Sequence, residues 1–318
     1  MKPTKAFAVI FPGQGSQTVG MLNALALSHS LVQSTFAEAS QILGYDLWDL
    51  VHHDPNDLLN QTEYTQPALV ATGVAIWRIW LDEIGILPTI MAGHSLGEYT
   101  ALVCSEAIAF DDALHLARLR GQLMQSAVKP TIGAMAAIIG LSDSAVEALC
   151  LSASDTTHKV SPANYNADGQ LVIAGHTPAV ERAIVAAKTL GAKLAKRLNV
   201  SVPSHCDLMF PIAAQLEDAL NIINIQAPQI PVIQNVEASI ADTPAAIRAM
   251  LVRQVYQPVR WTATIRKLAA FNCQLSIECG PAKVLTGLAK RTAPLLPCFP
   301  IFDAETLAAA ASMVRQLT

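Results

Sequence analysis

Residues 92–99 read Ala-Gly-His-Ser-Leu-Gly-Glu-Tyr, so that Gly93-His94-Ser95-Leu96-Gly97 fits the G-x-S-x-G spacing of a nucleophile elbow. A serine hydroxyl is a weak nucleophile at neutral pH and needs a base beside it. The spacing answers part of that need. A tight turn between a strand and a helix forces the serine into a strained conformation. Flanking residues without side chains let the two elements close on each other. Ser95 then stands at a helix N-terminus, where backbone N–H groups and the helix dipole favour developing negative charge. The chemistry this suits is acyl transfer or hydrolysis through an acyl-serine. A glycine-rich turn with a capping serine has the same letters; the apolar run 89–93 before it and the helix-period segment 96–107 after it favour the nucleophile.

Eight histidines are candidates for the base. His94 adjoins the serine, but consecutive side chains in a strand or turn point apart, which makes it a supporting group. His52-His53-Asp54 resembles a metal cluster, yet adjacent loop residues seldom ligate one ion, and a solvated turn before Pro55 is the better reading. His29, His115, His158 and His176 lie in helical or surface contexts without distinguishing neighbours. His205, in Ser-Val-Pro-Ser-His-Cys (201–206), follows a proline turn at a strand-to-helix junction, where α/β proteins often carry catalytic groups. Local features favour it only modestly, and no aspartate is obviously placed as a third member. The six cysteines are scattered, with no CxxC pair and no zinc-type spacing; they read as reduced, mostly buried small hydrophobes.

Short apolar runs alternate with helix-period segments, the pattern of an α/β protein with a largely parallel sheet. Strands are expected at 6–11, 89–94, 230–236 and 274–280. Helices are expected at 67–85 with Pro67 in the first turn, 96–107, 111–128, after Pro203, and at 244–256, 261–270, 281–291 and 304–316. Residues 129–200 differ. Their order, strand 133–141, helix 143–153 capped by Ser142, strands 158–166 and 170–175 joined by Ala167-Asp168-Gly169, helix from Thr177-Pro178 and strand 193–198, is a ferredoxin-like β-α-β-β-α-β unit. The expected division is a core of 1–128 with 201–318 and an inserted subdomain of 129–200.

The 318-residue chain is 52% hydrophobic and 14% charged, which permits a large core and disfavours disorder. A net charge of −4 gives no overall reason to bind nucleic acid or an anionic membrane. Two lysines followed by only a short apolar stretch, Ala6 to Phe11, do not make a signal peptide, and no run approaches membrane-spanning length. A cytoplasmic protein, expected as a monomer, follows.

Blocks in register along almost the whole chain resemble the bacterial malonyl-CoA:acyl carrier protein transacylase family. They include FPGQGSQTVGML (11–22), TQPAL (65–69), AGHSLGEY (92–99), ALVC (101–104), RGQLMQ (120–125), GAMAAIIGL (133–141), VIAGH (172–176), VSVPSHC (200–206), LVRQVYQPVRW (251–261) and GPAKVLTGLAKR (280–291). The resemblance implies an α/β-hydrolase-like core carrying the ferredoxin-like subdomain. It implies Ser95 as the acyl-accepting nucleophile and His205 as the general base. Gln14 and the backbone N–H of Leu96 become the oxyanion hole, and Arg120 the partner of malonate's free carboxylate. The Gln254 backbone carbonyl becomes the group that orients the histidine, so that a carbonyl replaces the missing aspartate. No permanently bound cofactor is implied: malonyl-CoA is the substrate, and the acceptor is the phosphopantetheine thiol of acyl carrier protein.

Because carrier proteins are acidic, a local basic patch is expected, with Lys283, Lys290 and Arg291 or Lys193, Lys196 and Arg197 as the candidates beside the reading of each as ordinary charged surface. Gln257, Arg260 and the pair Gln234-Asn235 depart from the family pattern without touching the matched positions. Two other functions share parts of this reading. A serine esterase or thioesterase has the elbow and the Ser–His pair but no use for Arg120. A docking protein with a decayed site would not keep Ser95, His205, Arg120 and Gln14 together. A trans-acting polyketide malonyltransferase is the nearest functional variant.

Overall fold

A computed structural model describes residues 4–129, 131–200 and 202–317. Lys2 of the N-terminal segment, and Met1, Ser201 and Thr318 at the expected domain limits, lie outside the described residues. The described residues begin with β1 (Thr4–Phe11), followed by the helices α1 (Asn23–Ala26), α2 (Ser30–Leu43) and α3 (Leu47–His52), and the long α4 (Thr62–Glu83). There follow β2 (Leu87–Gly93), α5 (Gly97–Cys104) and α6 (Phe110–Ala127). A second unit comprises β3 (Gly133–Ile139), α7 (Asp143–Ala153), β4 (Val160–Ala167), β5 (Gln170–His176), α8 (Thr177–Thr189) and β6 (Leu194–Arg197). The chain then returns through a 3-10 turn (Asp207–Ile212), α9 (Ala213–Ile222), β7 (Val232–Gln234), β8 (Ser239–Ile240), α10 (Pro244–Gln254), α11 (Trp261–Ala270), β9 (Leu275–Cys279), α12 (Val284–Thr292), β10 (Cys298–Ile301) and α13 (Ala304–Gln316).

The result is a mixed α/β structure. Its six-stranded sheet has the order β10-β9-β1-β2-β7-β8, parallel throughout except for β7–β8. The unbroken apolar run of β1 is explained by burial on both faces. Phe7, Val9 and Phe11 enter one core with α4 and α6, whereas Ala8 and Ile10 face a second core containing Trp261, Ile265 and Leu285. Alternation along a strand sends successive side chains to opposite faces, so both layers of helix are needed to cover it.

The second unit is a four-stranded sheet of order β4-β5-β3-β6, antiparallel at every pairing. One face carries Ala134, Ala136 and Ile138 against α7 and α8; the other carries Met135, Val172 and Ala174 against Cys206 and Leu208. Its β4 edge is stitched down by backbone bonds, Val259 N–H to Ala163 O and Tyr165 N–H to Val259 O, each 2.9 Å. The Arg266–Asp168 ion pair, 2.6 Å, adds to that seam.

Most expected elements are present within a few residues of their predicted ends. The Ser142 hydroxyl caps α7 by accepting from Ala145 N–H, and Asp168-Gly169 turns the chain between β4 and β5. One correction concerns Pro67. It lies inside α4, which begins at Thr62, five residues ahead of it. Tyr64 and Thr65 N–H both reach the Gln61 carbonyl, so the first turn closes before the proline is met. The helix after Pro203 is also delayed: a 3-10 turn comes first, and α9 begins at Ala213. Among the described residues no helix is long and apolar enough to cross a membrane.

Candidate active site

The two central strands β1 and β2 end side by side, Phe11 opposite Gly93, and the site is built past their carboxyl ends. Gly93 and Gly97 are there because nothing larger fits. A Cβ on Gly93 would lie 1.8 Å from the Gly97 carbonyl carbon, and one on Gly97 would lie 2.0 Å from the Phe11 carbonyl oxygen. Between them Ser95 is held at φ +52°, the left-handed region that an L-residue enters only under constraint. Asn235 supplies the constraint. Its Oδ1 accepts from Ser95 N–H at 2.7 Å, and its Nδ2 donates to the Gly93 carbonyl at 2.6 Å, so one side chain ties both sides of the turn.

Ser95 Oγ lies 2.8 Å from His205 Nε2, although 110 residues separate them. The other ring nitrogen, Nδ1, donates to the Gln254 carbonyl at 2.7 Å. A carbonyl only accepts, so Nδ1 carries the proton and leaves Nε2 free to take the serine's. His205 itself is at φ +61°, fixed by its N–H bond to the Val255 carbonyl. Burial, reinforced by the nearby Arg120 charge, pushes its pKa down to about 3, so the imidazole is neutral at pH 7.

Arg120, 1% exposed, comes from the middle of α6. Its Nη1 donates to Gln66 Oε1 at 2.8 Å, and Nη2 to Gln254 Oε1 at 3.0 Å and to Ser95 Oγ at 3.3 Å. The guanidinium also lies over the Tyr99 ring, 5.6 Å from its centroid. All of these partners are neutral. A cation so placed attracts an anion entering beside Ser95.

A cavity of about 240 Å³ opens over these groups. Ser95, Leu96, Arg120, Met124 and His205 form its floor, and Met135, Asn164, Asn166, Val172 and Leu198 of the second unit form its roof. Gln14 is exposed at its edge with its amide on Thr62 Oγ1, 3.2 Å, while Leu96 directly follows Ser95 at the start of α5. His94 also lines the cavity, but its own partners are other residues. Its Nε2 meets Asn166 Oδ1 at 2.8 Å and its ring packs on Trp261. His52 binds Asn23 Oδ1 and His53 binds Asp49; among the described residues no group of three or more His, Cys, Asp or Glu gathers as metal ligands would.

Thus Ser95, His205, Arg120, Leu96, Gln14 and Gln254 converge on one cavity or its immediate support. Gln66 and Glu98, which help hold them in place, carry no periodic signal of that role, and the expectation that Gln234-Asn235 leaves the matched positions untouched is corrected: Asn235 bonds directly to Ser95 N–H. Neutral or isolated polar residues inside apolar segments give no periodic signal; the buried Glu98 in the first turn of α5 was the one available clue, an acid where a hydrophobe would pack.

The chain is similar to known proteins along nearly its whole length. The family model described as "Acyl transferase domain" matches residues 8–311. The chain is 51% identical over 304 residues to the malonyl CoA-acyl carrier protein transacylase of Escherichia coli K12, covering 96% of this chain and 98% of that protein. It superposes with TM-score 0.93 and 52% identity on the crystal structure of an acyl carrier protein S-malonyltransferase from Vibrio cholerae, covering 96% of this chain and 99% of that one. A malonyl-transacylase solved in complex with its type II PKS acyl-carrier protein is similar at TM-score 0.95 and 50% identity, covering 96% of this chain and 99% of that one.

Proposed function

The chain belongs to the acyl transferase domain family, and on that premise we propose that it moves a malonyl group from malonyl-CoA to the phosphopantetheine thiol of acyl carrier protein through malonyl-Ser95. The observation that carries this reading is the meeting of Ser95 Oγ with His205 Nε2 at 2.8 Å and with the buried Arg120 at 3.3 Å. A Ser–His pair alone serves hydrolases equally; a buried guanidinium with neutral partners is suited to an acyl group that bears its own carboxylate. The large unit is an α/β-hydrolase-like core, 1–128 and 201–318, and 129–200 is a ferredoxin-like subdomain that roofs the cavity; the strand orders support this division.

In the first half-reaction the Ser95 proton passes to His205 Nε2 as Oγ bonds to the thioester carbonyl carbon. The negative oxygen is stabilised by Leu96 N–H and by Gln14, both of which line the cavity. Collapse breaks the C–S bond, and the imidazolium returns its proton to the departing coenzyme A thiolate. In the second, the pantetheine thiol gives its proton to His205 as sulfur attacks the ester; the C–O bond breaks and Ser95 regains the proton. The Gln254 carbonyl fixes the tautomer that both steps require.

Mass spectrometry of the intact protein after brief incubation with malonyl-CoA, and separately with acetyl-CoA, tests the assignment. A malonyl adduct that persists until a carrier protein or pantetheine thiol is added, and that Ser95→Ala abolishes, is expected. Steady consumption of malonyl-CoA without an adduct or an added thiol would instead make the chain a thioesterase.

A further inference from the structure

We propose that Glu98 is a positioning residue for acyl selection: acting through the Gln254 side chain, it fixes where the Arg120 guanidinium lies over Ser95. The proposal rests on the malonyl-transfer reading above. Glu98 stands one turn beyond Ser95 on α5, has no exposed surface, and does not line the cavity. Its Oε2 accepts from Gln254 Nε2 and from Asn235 N–H, each at 2.9 Å. Gln254 Nε2 also donates to the Ser95 carbonyl at 2.9 Å, while Gln254 Oε1 accepts from Arg120 Nη2 at 3.0 Å.

A terminal amide can be turned over, exchanging donor for acceptor, unless its neighbours forbid it. Two acceptors, Glu98 Oε2 and Ser95 O, face the Nε2 end, and the guanidinium donor faces the Oε1 end. Removing Glu98 leaves one acceptor to set the orientation, and a turned-over amide would press its N–H groups against Arg120. The same carboxylate oxygen holds the backbone of Asn235, whose side chain ties the elbow. One buried atom therefore sets both the nucleophile's turn and the cation above it. Burying a carboxyl group is costly, and an apolar side chain would pack α5 at less expense; Oε2 receives two N–H groups, while Oε1 is buried without a hydrogen-bond partner. Burial pushes its pKa up to about 7, so glutamine is a fair isostere near neutral pH.

The experiment measures kcat and KM for malonyl-CoA and acetyl-CoA, with acyl-Ser95 formation followed by mass spectrometry, in wild type, Glu98→Gln and Glu98→Ala. Glutamine offers a carbonyl oxygen to both N–H donors and should stay within about fivefold of wild type for both substrates. Alanine should lower malonyl loading by about 100-fold, as misplaced catalytic groups do. Its loss on acetyl-CoA should be smaller, so that the malonyl-to-acetyl preference shrinks about tenfold or more. Should alanine not fold, Glu98→Asp, which withdraws the oxygen by one methylene, is read on the same ratio. Equal proportional losses on the two substrates, or a glutamine variant as impaired as alanine, would overturn the role of Glu98. Absence of any malonyl adduct on the wild type would instead overturn the transfer reading beneath it.

Discussion

His205 and Arg120 share Ser95 Oγ as a neighbour, and their charges oppose each other. A proton on the imidazole would lie close to a fixed cation in a buried site, which is why its pKa falls to about 3, with burial the larger cause. Acyl loading should therefore hold its rate as the pH is lowered from 7 to 5, whereas an ordinary imidazole would lose half of it near pH 6.5. A quenched-flow adduct assay reads this directly. Arg120→Ala should cut malonyl loading by at least about 100-fold, the worth of a charge-assisted bidentate contact, while acetyl loading survives or rises. In that variant the acid limb for acetyl loading should also move to higher pH, because the cation that depresses His205 is gone. Stability follows the same logic with opposite signs at two groups. His205 binds its proton more readily when unfolded, so its contribution is lost as the pH falls from about 6.5 toward 3. Glu98, raised by burial to about 7, binds its proton more readily when folded, so its contribution is lost as the pH rises from 4.5 through 7.

At the level of elements, the elbow is a packing problem solved with glycine. Gly97→Ala would place a methyl group 2.0 Å from the Phe11 carbonyl oxygen, a backbone atom at the end of a central strand. The variant should lose about 3 kcal/mol or more in urea unfolding and load Ser95 poorly even where it folds. This element was legible in the sequence because glycines, an apolar strand and a helix-period segment all marked it. So were α7, with its Ser142 cap, and α8, with Pro178 in its first turn. Pro67 misled, because a proline that usually opens a helix sits here one turn further in. Strand β10, Cys-Phe-Pro-Ile, escaped notice because four residues containing a proline make no strand pattern; it lies at the sheet edge, where a missing N–H is tolerated. Arg120 reads locally as a solvated helix residue. Its burial depends on Gln66 and Gln254, 54 and 134 residues away, and only the resemblance singled it out beforehand.

Across the whole molecule, the cavity roof belongs to the second unit, and that placement decides where a carrier protein is expected to approach. Strand β6 is an edge of the small sheet, with Lys196 and Arg197 exposed on it and Lys193 exposed just before it. Leu198 and Val200, which follow at once, line the cavity. Lys196 and Arg197 thus lie on the strand that leads into the cavity lining. The other candidate cluster lies at the start and end of α12. None of the six basic residues lines the cavity itself; Arg291 is hydrogen-bonded to Gln170 and shares a surface groove with Lys193, so the two clusters meet there. Arg197 is partly engaged by Glu181 at 3.4 Å, which leaves Lys193 and Lys196 as the freer charges. Reversing both lysines to glutamate should slow transfer to an acidic carrier protein by roughly tenfold at low salt, with the difference shrinking as ionic strength rises. Loading from malonyl-CoA measured without the carrier should not show that loss, since Ser95, His205 and Arg120 are untouched. A double reversal that impaired loading and transfer alike would place the effect on the cavity itself, and an equal response to reversing Lys283 and Lys290 would move the docking face to α12.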